Sequence, residues 1–463
     1  MRVTLSKPFS DTKRLTKALG ATLISGELPP VLRGIATDSR EVRRGDLFVA
    51  LHGQRVEGSE YLEQARRQGA LALLVPQGTP IPADIACLTV DDTEAALLRA
   101  ARERRRQAKA FVIAVSGSCG KTTVKEAVAT LLSSRGRTER SRANFNSQIG
   151  MPLSLLSMED CAHWVLELGI NHIGEMEKMA AAVAPDLALL TNVGTAHIGQ
   201  FGTYSTLLAE KAKIAVSLAS GGRVLAPASL PQEAFPCSAG QIFTFGKGGF
   251  FHLENIRYSK RGTVGDLFCP DRVITNLVWP IAGQVGAATL EAVGALGVLL
   301  GLDANTIRAG LLQAGESTPR LALSMAGDRL LIDDAYNASP EAMLAALETL
   351  TLTAGRRPTV AVLGDMLELG RYARAFHYAV GRAVSERGID YLFTYGTEGL
   401  EIAAGARDAG MACDRIFCFE EGEREALANT LCRTTPQDAA LLFKASGKMA
   451  LSRIANEVRR RLS

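Results

Sequence analysis

Short apolar runs alternate with amphipathic stretches along most of the chain. The clearest runs lie at residues 111–115, 163–168, 187–192, 359–363 and 391–395, and most of them end in polar residues. Apolar runs of about four to eight residues bounded by polar residues are typical of buried strands, and the stretches between them are long enough for helices. The alternation therefore predicts an α/β protein with mostly parallel sheets covered by helices.

The predicted elements fall into three blocks, which we expect to be domains: residues 1–108, 109–315 and 316–463. The first block is a small α/β unit, the central block a parallel-sheet unit, and the third block a smaller doubly wound, Rossmann-like unit. Further strands are predicted at residues 34–40, 45–51, 70–75, 330–333 and 439–443, and a helix at residues 60–68. A chain of 463 residues is too long for a single core, which agrees with several domains.

Charge and hydropathy exclude two classes of protein. The net charge of +4 is small for this length and argues against a dedicated nucleic-acid binder. The densest basic run, at residues 102–106, is interpreted as a solvated helix end or a linker. The most apolar long stretch, at residues 280–302, is interrupted by Gln284 and Glu291. It predicts a buried helix rather than a membrane span, so we expect no membrane insertion.

The cysteines indicate a reducing environment. All eight are scattered without a C-x-x-C pair, so neither a zinc site nor a disulfide framework is predicted. The basic N-terminal residues are not followed by the apolar core of a signal peptide. We therefore expect a cytoplasmic protein.

The most informative segment follows a predicted strand and reads AVSGSCGKTT at residues 114–123, with a helix predicted at residues 124–132. A glycine-rich turn between a strand and a helix start points backbone N–H groups at one spot, and the helix dipole favours negative charge there. Lys121 adds a mobile cation, and the hydroxyl of Thr122 or Thr123 is placed to reach Mg²⁺. The segment predicts a phosphate loop that binds ATP.

This loop is shorter than the usual pattern, because Val115 stands where the first glycine of G-x-x-x-x-G-K-S/T is expected. An ordinary turn is the alternative interpretation, and the strand before and helix after the loop disfavour it. The predicted phosphate-binding residues are Gly117, Ser118, Cys119, Gly120, Lys121, Thr122 and Thr123.

Ligands of open parallel sheets collect at the carboxyl ends of the strands. In the central block Glu167 ends one predicted strand, and His197 follows another. A carboxylate in that position is suited to Mg²⁺, with a surface glutamate or a helix cap as the alternative. Magnesium prefers oxygen ligands, so the residues alone favour a structural role for His197.

Three polar loops follow predicted strands of the third block, at residues 333–340, 364–370 and 444–448. Asp333 or Asp334 is a candidate to accept hydrogen bonds from ribose hydroxyls or to face a substrate amine. A helix N-cap is the alternative role, although a Ser-Pro pair in the same loop already supplies a cap. We expect all three loops to face the phosphate loop across a cleft that holds a nucleotide.

Together these segments resemble the Mur ligases, the ATP-dependent amide-forming enzymes of peptidoglycan synthesis, over nearly the whole chain and in the same order. Residues 37–40 and 45–50 resemble the UDP-binding N-terminal domain of that family, and residues 114–123 its ATP-binding loop. Residues 334–340 and 362–370 are similar to the members that join D-alanyl-D-alanine to UDP-MurNAc-tripeptide. The Asp-Asn-Pro-Arg motif typical of the members that add the third peptide residue is absent from the sequence.

The resemblance implies a role for each matching residue. The implied catalytic residues are Lys121, Lys211, His197 and Asn144. The implied magnesium ligands are Thr122, Glu167, His197 and Lys211. The implied nucleotide contacts outside the phosphate loop are Thr289, Arg320, Asp334 and Asn337. The implied substrate contacts are Asp38, Ser39, Arg40 and Asn146.

Lys211 matches the carbamylated lysine of the family, so the resemblance implies that modification here. Reaction with CO₂ turns a cation into a carbamate with two oxygens, which can help to position Mg²⁺. From the residues alone Lys211 is a charge on a helix predicted at residues 204–218.

The resemblance also implies a reaction. A peptide carboxylate attacks the γ-phosphate of ATP to give an acyl phosphate and ADP, and the amine of D-alanyl-D-alanine then displaces phosphate. Catalysis of this kind is mostly positioning and electrostatic stabilisation. We expect a monomer whose third domain closes on the cleft, and no general base is assigned.

Five positions depart from the family pattern, and they leave two other functions open. Glu57 replaces an aspartate, Ser147 an asparagine, Gly199 an acidic residue, Thr289 the asparagine expected near adenine, and Gly447 an arginine. The departures at Ser147, Gly199 and Thr289 slightly favour a Mur-like ligase that acts on another carboxylate outside the cell-wall pathway. A phosphate-loop NTPase switch or a pseudo-enzyme is the alternative from another class.

Overall fold

The computed structural model describes residues 1–53, 56–142, 144–236, 241–259, 262–317 and 322–462. Within these ranges the strands form three six-stranded sheets and one three-stranded sheet, with helices packed on them. The predicted α/β class is confirmed. None of the described helices is both long and apolar enough to cross a membrane.

The first block contains one mixed sheet in the order β1-β3-β4-β5-β6-β2. Its strands are β1 (Arg2–Thr4), β2 (Thr22–Ser25), β3 (Gly34–Ala36), β4 (Asp46–Val49), β5 (Ala72–Pro76) and β6 (Ala86–Val90). Its helices are α1 (Lys7–Ser10), α2 (Thr12–Leu19), α3 (Leu62–Arg67) and α4 (Thr93–Gln107). The inner strands β3 to β6 are parallel, and the edge strands β1 and β2 are antiparallel to their neighbours.

The central block opens with a fully parallel sheet in the order β12-β11-β10-β7-β9-β8. Its strands are β7 (Phe111–Ser116), β8 (Thr138–Arg140), β9 (His163–Glu167), β10 (Leu187–Leu190), β11 (Arg223–Pro227) and β12 (Gln241–Phe245). Its helices are α5 (Lys121–Ser133), α6 (Gly150–Ser157), α7 (Glu175–Val183), α8 (Ile198–Phe201) and α9 (Tyr204–Ala212). Pairing of Ser116 with Leu190, and of Val115 with Glu167, brings three strand ends to one edge of the sheet.

A three-stranded antiparallel sheet and two helices complete the central block, and the sequence analysis did not predict that sheet. Its strands are β13 (His252–Ser259), β14 (Gly262–Phe268) and β15 (Val273–Trp279), and the helices are α10 (Gln284–Leu299) and α11 (Ala304–Ser317). Helix α10 is largely buried, as predicted for the apolar stretch that contains it.

The third block holds a sheet in the order β16-β17-β21-β18-β19-β20, parallel except for β16. Its strands are β16 (Ala322–Ala326), β17 (Arg329–Asp333), β18 (Thr359–Gly364), β19 (Tyr391–Tyr395), β20 (Ile416–Phe419) and β21 (Ala440–Lys444). Its helices are α12 (Pro340–Ala354), α13 (Ala373–Glu386), α14 (Gly399–Asp408), α15 (Arg424–Thr434) and α16 (Leu451–Leu462). Leu290 of α10 and Leu347 of α12 belong to one apolar cluster, so the central and third blocks share a packed contact.

Two local predictions need correction. The helix predicted at residues 204–218 ends at Ala212, and a 3₁₀ turn at Lys213–Ala215 replaces its last part, as helix ends often tighten. The basic run at residues 102–106 is not wholly solvated, because Arg104 is buried. Its guanidinium donates to Met158 O at 2.7 Å and lies over the ring of Trp164.

Candidate active site

A cavity of about 590 Å³ lies between the carboxyl edge of the central parallel sheet and the third block. The central block contributes the phosphate loop, neighbouring strand ends and the start of α10. The third block contributes the loop after β17, the last residue of β21 and the first turns of α12. The predicted site residues among its lining are Ser118, Cys119, Gly120, Lys121, Thr122, Thr123, Asn144, Asn146, Glu167, His197, Thr289, Asp334 and Asn337.

The phosphate loop has the backbone conformation that its glycines permit. Gly117 has φ +148° and Gly120 φ +78°, both in the left-handed region. A Cβ on Gly117 would lie 2.0 Å from Thr191 Oγ1, so only glycine fits against the neighbouring strand end. Helix α5 then begins at Lys121, and its first residues line the cavity, where the helix dipole favours phosphate.

Residues that follow β10 hold the loop from the side. Ser118 N donates to Asn192 O at 3.0 Å, and Cys119 N donates to Asn192 Oδ1 at 2.9 Å. Thr191 Oγ1 donates to Cys119 O at 2.6 Å, and Gly194 N donates to Ser118 Oγ at 2.9 Å. The sequence analysis gave Thr191 and Asn192 no role. Their position at the end of the strand beside β7 was the available signal.

Two lysines meet at one carbonyl oxygen below the loop. Lys121 Nζ donates to Gly117 O at 2.8 Å, and Lys211 Nζ donates to the same oxygen at 3.2 Å. Lys211 is 1 % exposed and is absent from the cavity lining. Burial first, and the charge of Lys121 second, lower the pKa of Lys211 from 10.5 to about 7. A large share of Lys211 is therefore neutral near pH 7.

Glu167 is a buried carboxylate with two polar neighbours in the cavity. Thr122 Oγ1 donates to its Oε2 at 2.9 Å, and Asn146 Nδ2 donates to its Oε1 at 2.8 Å. A carboxylate and a hydroxyl side by side at the phosphate loop are the hard oxygen donors that Mg²⁺ prefers. These two residues fit a magnesium ion. Among the described residues no three His, Cys, Asp or Glu side chains cluster as a metal site.

His197 lines the same cavity and contacts the third block. Its Nδ1 is hydrogen-bonded to Glu368 Oε2, and this contact is the main cause that lowers the pKa of Glu368. The described hydrogen bonds join Thr122 with Glu167, His197 with Glu368, and Lys211 with Gly117.

The third-block wall is braced by a buried lysine. Lys444 Nζ pairs with the carboxylate of Asp334 and donates to Asn337 O at 3.0 Å. Ser339 caps α12, as the sequence analysis allowed, and its Oγ lies 3.2 Å from Cys119 Sγ across the cavity. Arg320 lies outside the described residues.

Thr289 of α10 lines the cavity, and its hydroxyl forms a hydrogen bond within that helix. Thr289 Oγ1 donates to Val285 O at 2.8 Å, and the residue is 4 % exposed. Asn144 is an exposed residue at the mouth of the same cavity.

The predicted UDP-substrate residues of the first block lie outside this cavity. Asp38 Oδ2 accepts from Arg40 at 2.7 Å, and hydrogen bonds from Arg40 lower the pKa of Asp38 to about 2. Ser39 Oγ donates to Gln64 Oε1 at 2.8 Å. The three residues form a polar turn after β3 and are not brought to the phosphate loop.

Three parts of the chain match domains of one family. Residues 31–112 match the Mur ligase family catalytic domain, residues 115–296 the Mur ligase middle domain, and residues 320–447 the Mur ligase glutamate ligase domain.

Whole-chain relatives agree with those matches. The chain is 33 % identical over 435 residues to UDP-N-acetylmuramoyl-tripeptide–D-alanyl-D-alanine ligase of Bacillus subtilis (strain 168), covering 92 % of this chain and 93 % of that enzyme. It is 34 % identical over 396 residues to the enzyme of that name from Escherichia coli (strain K12), covering 83 % and 86 %.

Solved structures show the same architecture. A crystal structure of MurF from Acinetobacter baumannii superposes with a TM-score of 0.86 at 29 % identity, covering 97 % of this chain and 98 % of that one. MurF ligase from Thermotoga maritima, in complex with ADP, superposes with a TM-score of 0.80 at 25 % identity, covering 92 % and 97 %.

Proposed function

The chain belongs to the Mur ligase family, and we propose that it joins D-alanyl-D-alanine to UDP-MurNAc-tripeptide at the expense of ATP. The observation that carries the proposal is the cavity, which sets a phosphate loop against a wall from the third block. The first, central and third blocks then serve UDP-substrate binding, ATP binding and acceptor ligation. The product is a precursor of peptidoglycan, so the activity serves the cell wall, cell shape and division.

ATP binding is assigned to the phosphate loop and the wall opposite it. The N-terminus of α5 receives the phosphates, and Lys121 leaves Gly117 O to pair with them. Asp334 and Asn337 line the cavity as candidates for the nucleotide, and so does Thr289, whose hydroxyl donates to Val285 O.

Thr122 and Glu167 are the residues that would hold Mg²⁺, with His197 as a further candidate on the same cavity. When bound there, Mg²⁺ neutralises charge on the polyphosphate during phosphoryl transfer. Asn146 fixes the orientation of the Glu167 carboxylate through its side-chain amide.

Lys211 is proposed as the site of carbamylation. Only the neutral amine can attack CO₂, and the lowered pKa of Lys211 supplies that form near pH 7. The product carries a negative charge beside Gly117 O, the oxygen to which the unmodified lysine donates and near which it is repelled by the charge of Lys121. Carbamylation would therefore turn a repulsive contact with Lys121 into an attractive one.

The reaction requires the donor carboxylate and the acceptor amine in one water-poor space. Asn144 and Asn146 are proposed to orient the donor, and the polar turn at Asp38, Ser39 and Arg40 to bind its UDP end. The resulting acyl phosphate is protected from water by the third-block wall. We expect a monomer, because one chain supplies both walls, and a cytoplasmic location, because ATP is a substrate.

The direct test is phosphate release by the wild-type protein with ATP, Mg²⁺ and UDP-MurNAc-tripeptide, with and without D-alanyl-D-alanine. We expect release that requires both substrates and a product with the mass of the pentapeptide. ATP binding without stimulation by either substrate would mean that the ligase acts on another carboxylate. ATP hydrolysis that ignores every peptide would indicate an NTPase and contradict the ligase assignment.

A further inference from the structure

The contact between His197 and Glu368 joins two residues with unusual backbones. His197 has φ +63° and Glu368 has φ +66°, and both lie in the left-handed region that side chains other than glycine rarely adopt. Such conformations are energetically costly and cluster where function requires them. Here the two residues face one another across the central and third blocks, with Nδ1 of His197 hydrogen-bonded to Oε2 of Glu368.

The backbones around this pair are pressed together. Gly199 N donates to Glu368 O at 3.2 Å. A Cβ on Gly199 would lie 2.6 Å from Gly370 N and 2.8 Å from Glu368 O. Both neighbouring atoms belong to the backbone and cannot turn away as a side chain can. The docking of the third block at this point therefore requires glycine at position 199.

The loop that carries Glu368 is fixed within the third block by its own hydrogen bonds. Met366 N donates to His377 Nε2 at 2.8 Å, and Leu367 N donates to Ser446 Oγ at 2.8 Å. The buried Asp365 accepts from two backbone N–H groups at 3.1 Å. These bonds do not involve the central block, so the third block presents Glu368 in place before docking.

A second glutamate holds the same segment without touching the histidine. Glu341 Oε1 accepts from Thr195 N at 2.7 Å and from Thr195 Oγ1 at 2.8 Å. Docking therefore has an anchor two residues before His197. The contact of Glu368 can also set the tautomer of His197. An imidazole whose Nδ1–H is bonded to a carboxylate keeps its Nε2 lone pair free.

We propose that Glu368 is the positioning residue for His197: it accepts the Nδ1 proton and so presents the bare Nε2, and it does this only when the third block is docked. The inference rests on the proposed function for its catalytic meaning. Its structural content, a tautomer set by a carboxylate of another block, stands without substrate.

The test is the ¹⁵N spectrum of the histidine rings in the free protein at pH 8, where the neutral tautomers are distinguished. The chain has six histidines, and a His197→Gln variant assigns the signal. We expect the Nδ1–H tautomer in the wild type and in Glu368→Gln, whose amide oxygen still accepts the proton. In Glu368→Ala we expect a mixture that includes Nε2–H. The control is Glu421→Ala, which removes an exposed carboxylate of the same block.

A second variant tests the dependence on docking. Gly199→Ala leaves Glu368 intact but places a Cβ against Gly370, so we expect the same loss of the Nδ1–H tautomer as in Glu368→Ala. Glu341→Gln keeps Glu368 and an acceptor for Thr195, and we expect no change of tautomer. A wild-type His197 in the Nε2–H form, or an unchanged tautomer in both Glu368→Ala and Gly199→Ala, would overturn the proposal.

Kinetics connect the tautomer to the reaction. In Glu368→Ala we expect kcat to fall about 10–100-fold, as when an outer partner of a working histidine is lost, with KM for ATP changed less than about threefold. Glu368→Gln should recover most of the loss. A wild type that is inactive with both proposed substrates would contradict the proposed function, and the spectroscopic test of the tautomer would still be valid. An active wild type whose kcat is unchanged in Glu368→Ala would contradict only the proposed role of Glu368.

Discussion

The two walls of the cavity are held by different kinds of contact. In the central wall, the phosphate loop at residues 117–121 is bonded to residues 191–194, which end a neighbouring strand of the same sheet. In the third-block wall, Lys444 braces the loop after β17 from below. The two walls also contact each other, through hydrogen bonds such as those of Thr195 with Glu341 and of His197 with Glu368.

The difference indicates that the two walls have different functions. The hydrogen bonds that hold the phosphate loop lie within the central block, so we expect the central wall to keep its shape without the third block. The third-block wall adds groups that reach the nucleotide and the donor only when it is docked. Phosphate binding should therefore depend on the central wall alone, and ligation on both walls.

The largest expected effect is at the central wall. Lys121→Ala removes the cation that the loop holds at Gly117 O, and we expect ligation to slow by about a thousandfold, the scale for loss of a main electrostatic group. Steady-state phosphate release measures the loss. Lys247→Ala, which removes an exposed lysine of the same block, is the matched control. A Lys121→Ala variant with full ligation activity would contradict the assignment of the phosphate loop.

A smaller effect is expected from loss of the contact between Lys444 and Asp334 in the third-block wall. Lys444→Ala leaves the carboxylate of Asp334 without its buried partner, which we expect to destabilise the protein by about 2–4 kcal/mol in urea unfolding. If the walls are independent, ADP binding measured by calorimetry should weaken less than ligation does. The exposed Lys448, four residues further along the chain, is the control for stability, as Lys448→Ala. Equal loss of binding and ligation would show that the walls act as one.

Replacement of the buried Lys211 should raise the stability of the protein, whereas replacement of Lys444 should lower it. Lys211→Met removes a group whose charged form is costly to bury, so at pH 7 in CO₂-free buffer we expect stability to rise by about 1–2 kcal/mol while ligation is lost. Between about pH 7 and 10.5 the unfolded wild type binds more protons at Lys211 than the folded one. The wild type therefore gains stability with pH in that window, and the advantage of the variant shrinks toward pH 10.5. An advantage that is constant with pH would contradict the lowered pKa.

The smallest effect concerns the contact between Cys119 and Ser339. Ser339→Ala removes the N-cap of α12, and we expect a loss of about 1 kcal/mol of stability. Cys119→Ala removes the other partner and keeps the cap, so its stability should differ from that of the wild type by only a few tenths of a kcal/mol. Urea unfolding of both variants compares them. Equal losses would mean that the sulfur contact, rather than the cap, holds this point of the cavity.

The positions of elements that are buried on both faces could be predicted from the sequence. The strands His163–Glu167 and Tyr391–Tyr395 lie where continuous apolar runs placed them, and α5 begins directly after the glycine turn. Such runs are long enough to exclude other interpretations. The antiparallel strands of the sheet at residues 252–279 were missed, because their exposed faces carry polar residues without a clear alternation.

Contacts between distant residues could not be predicted from the sequence. Thr195 and Glu341 are 146 positions apart, and His197 and Glu368 are 171 positions apart. Strand-end patterns indicated that the polar loops of the two blocks share a cleft, but not which residues of those loops contact one another. The same limit applies to Arg104, whose burial depends on Met158 O and Trp164 rather than on its own helix.

The most direct test of the account follows oxygen from the donor to phosphate. UDP-MurNAc-tripeptide labelled with ¹⁸O in its carboxylates is turned over with ATP, Mg²⁺ and D-alanyl-D-alanine, and the released phosphate is analysed by mass spectrometry. If the carboxylate attacks the γ-phosphate and the amine then displaces phosphate, each phosphate released from labelled donor carries one ¹⁸O. Phosphate without label, formed alongside the pentapeptide product, would contradict the acyl phosphate and the arrangement of the two walls around it.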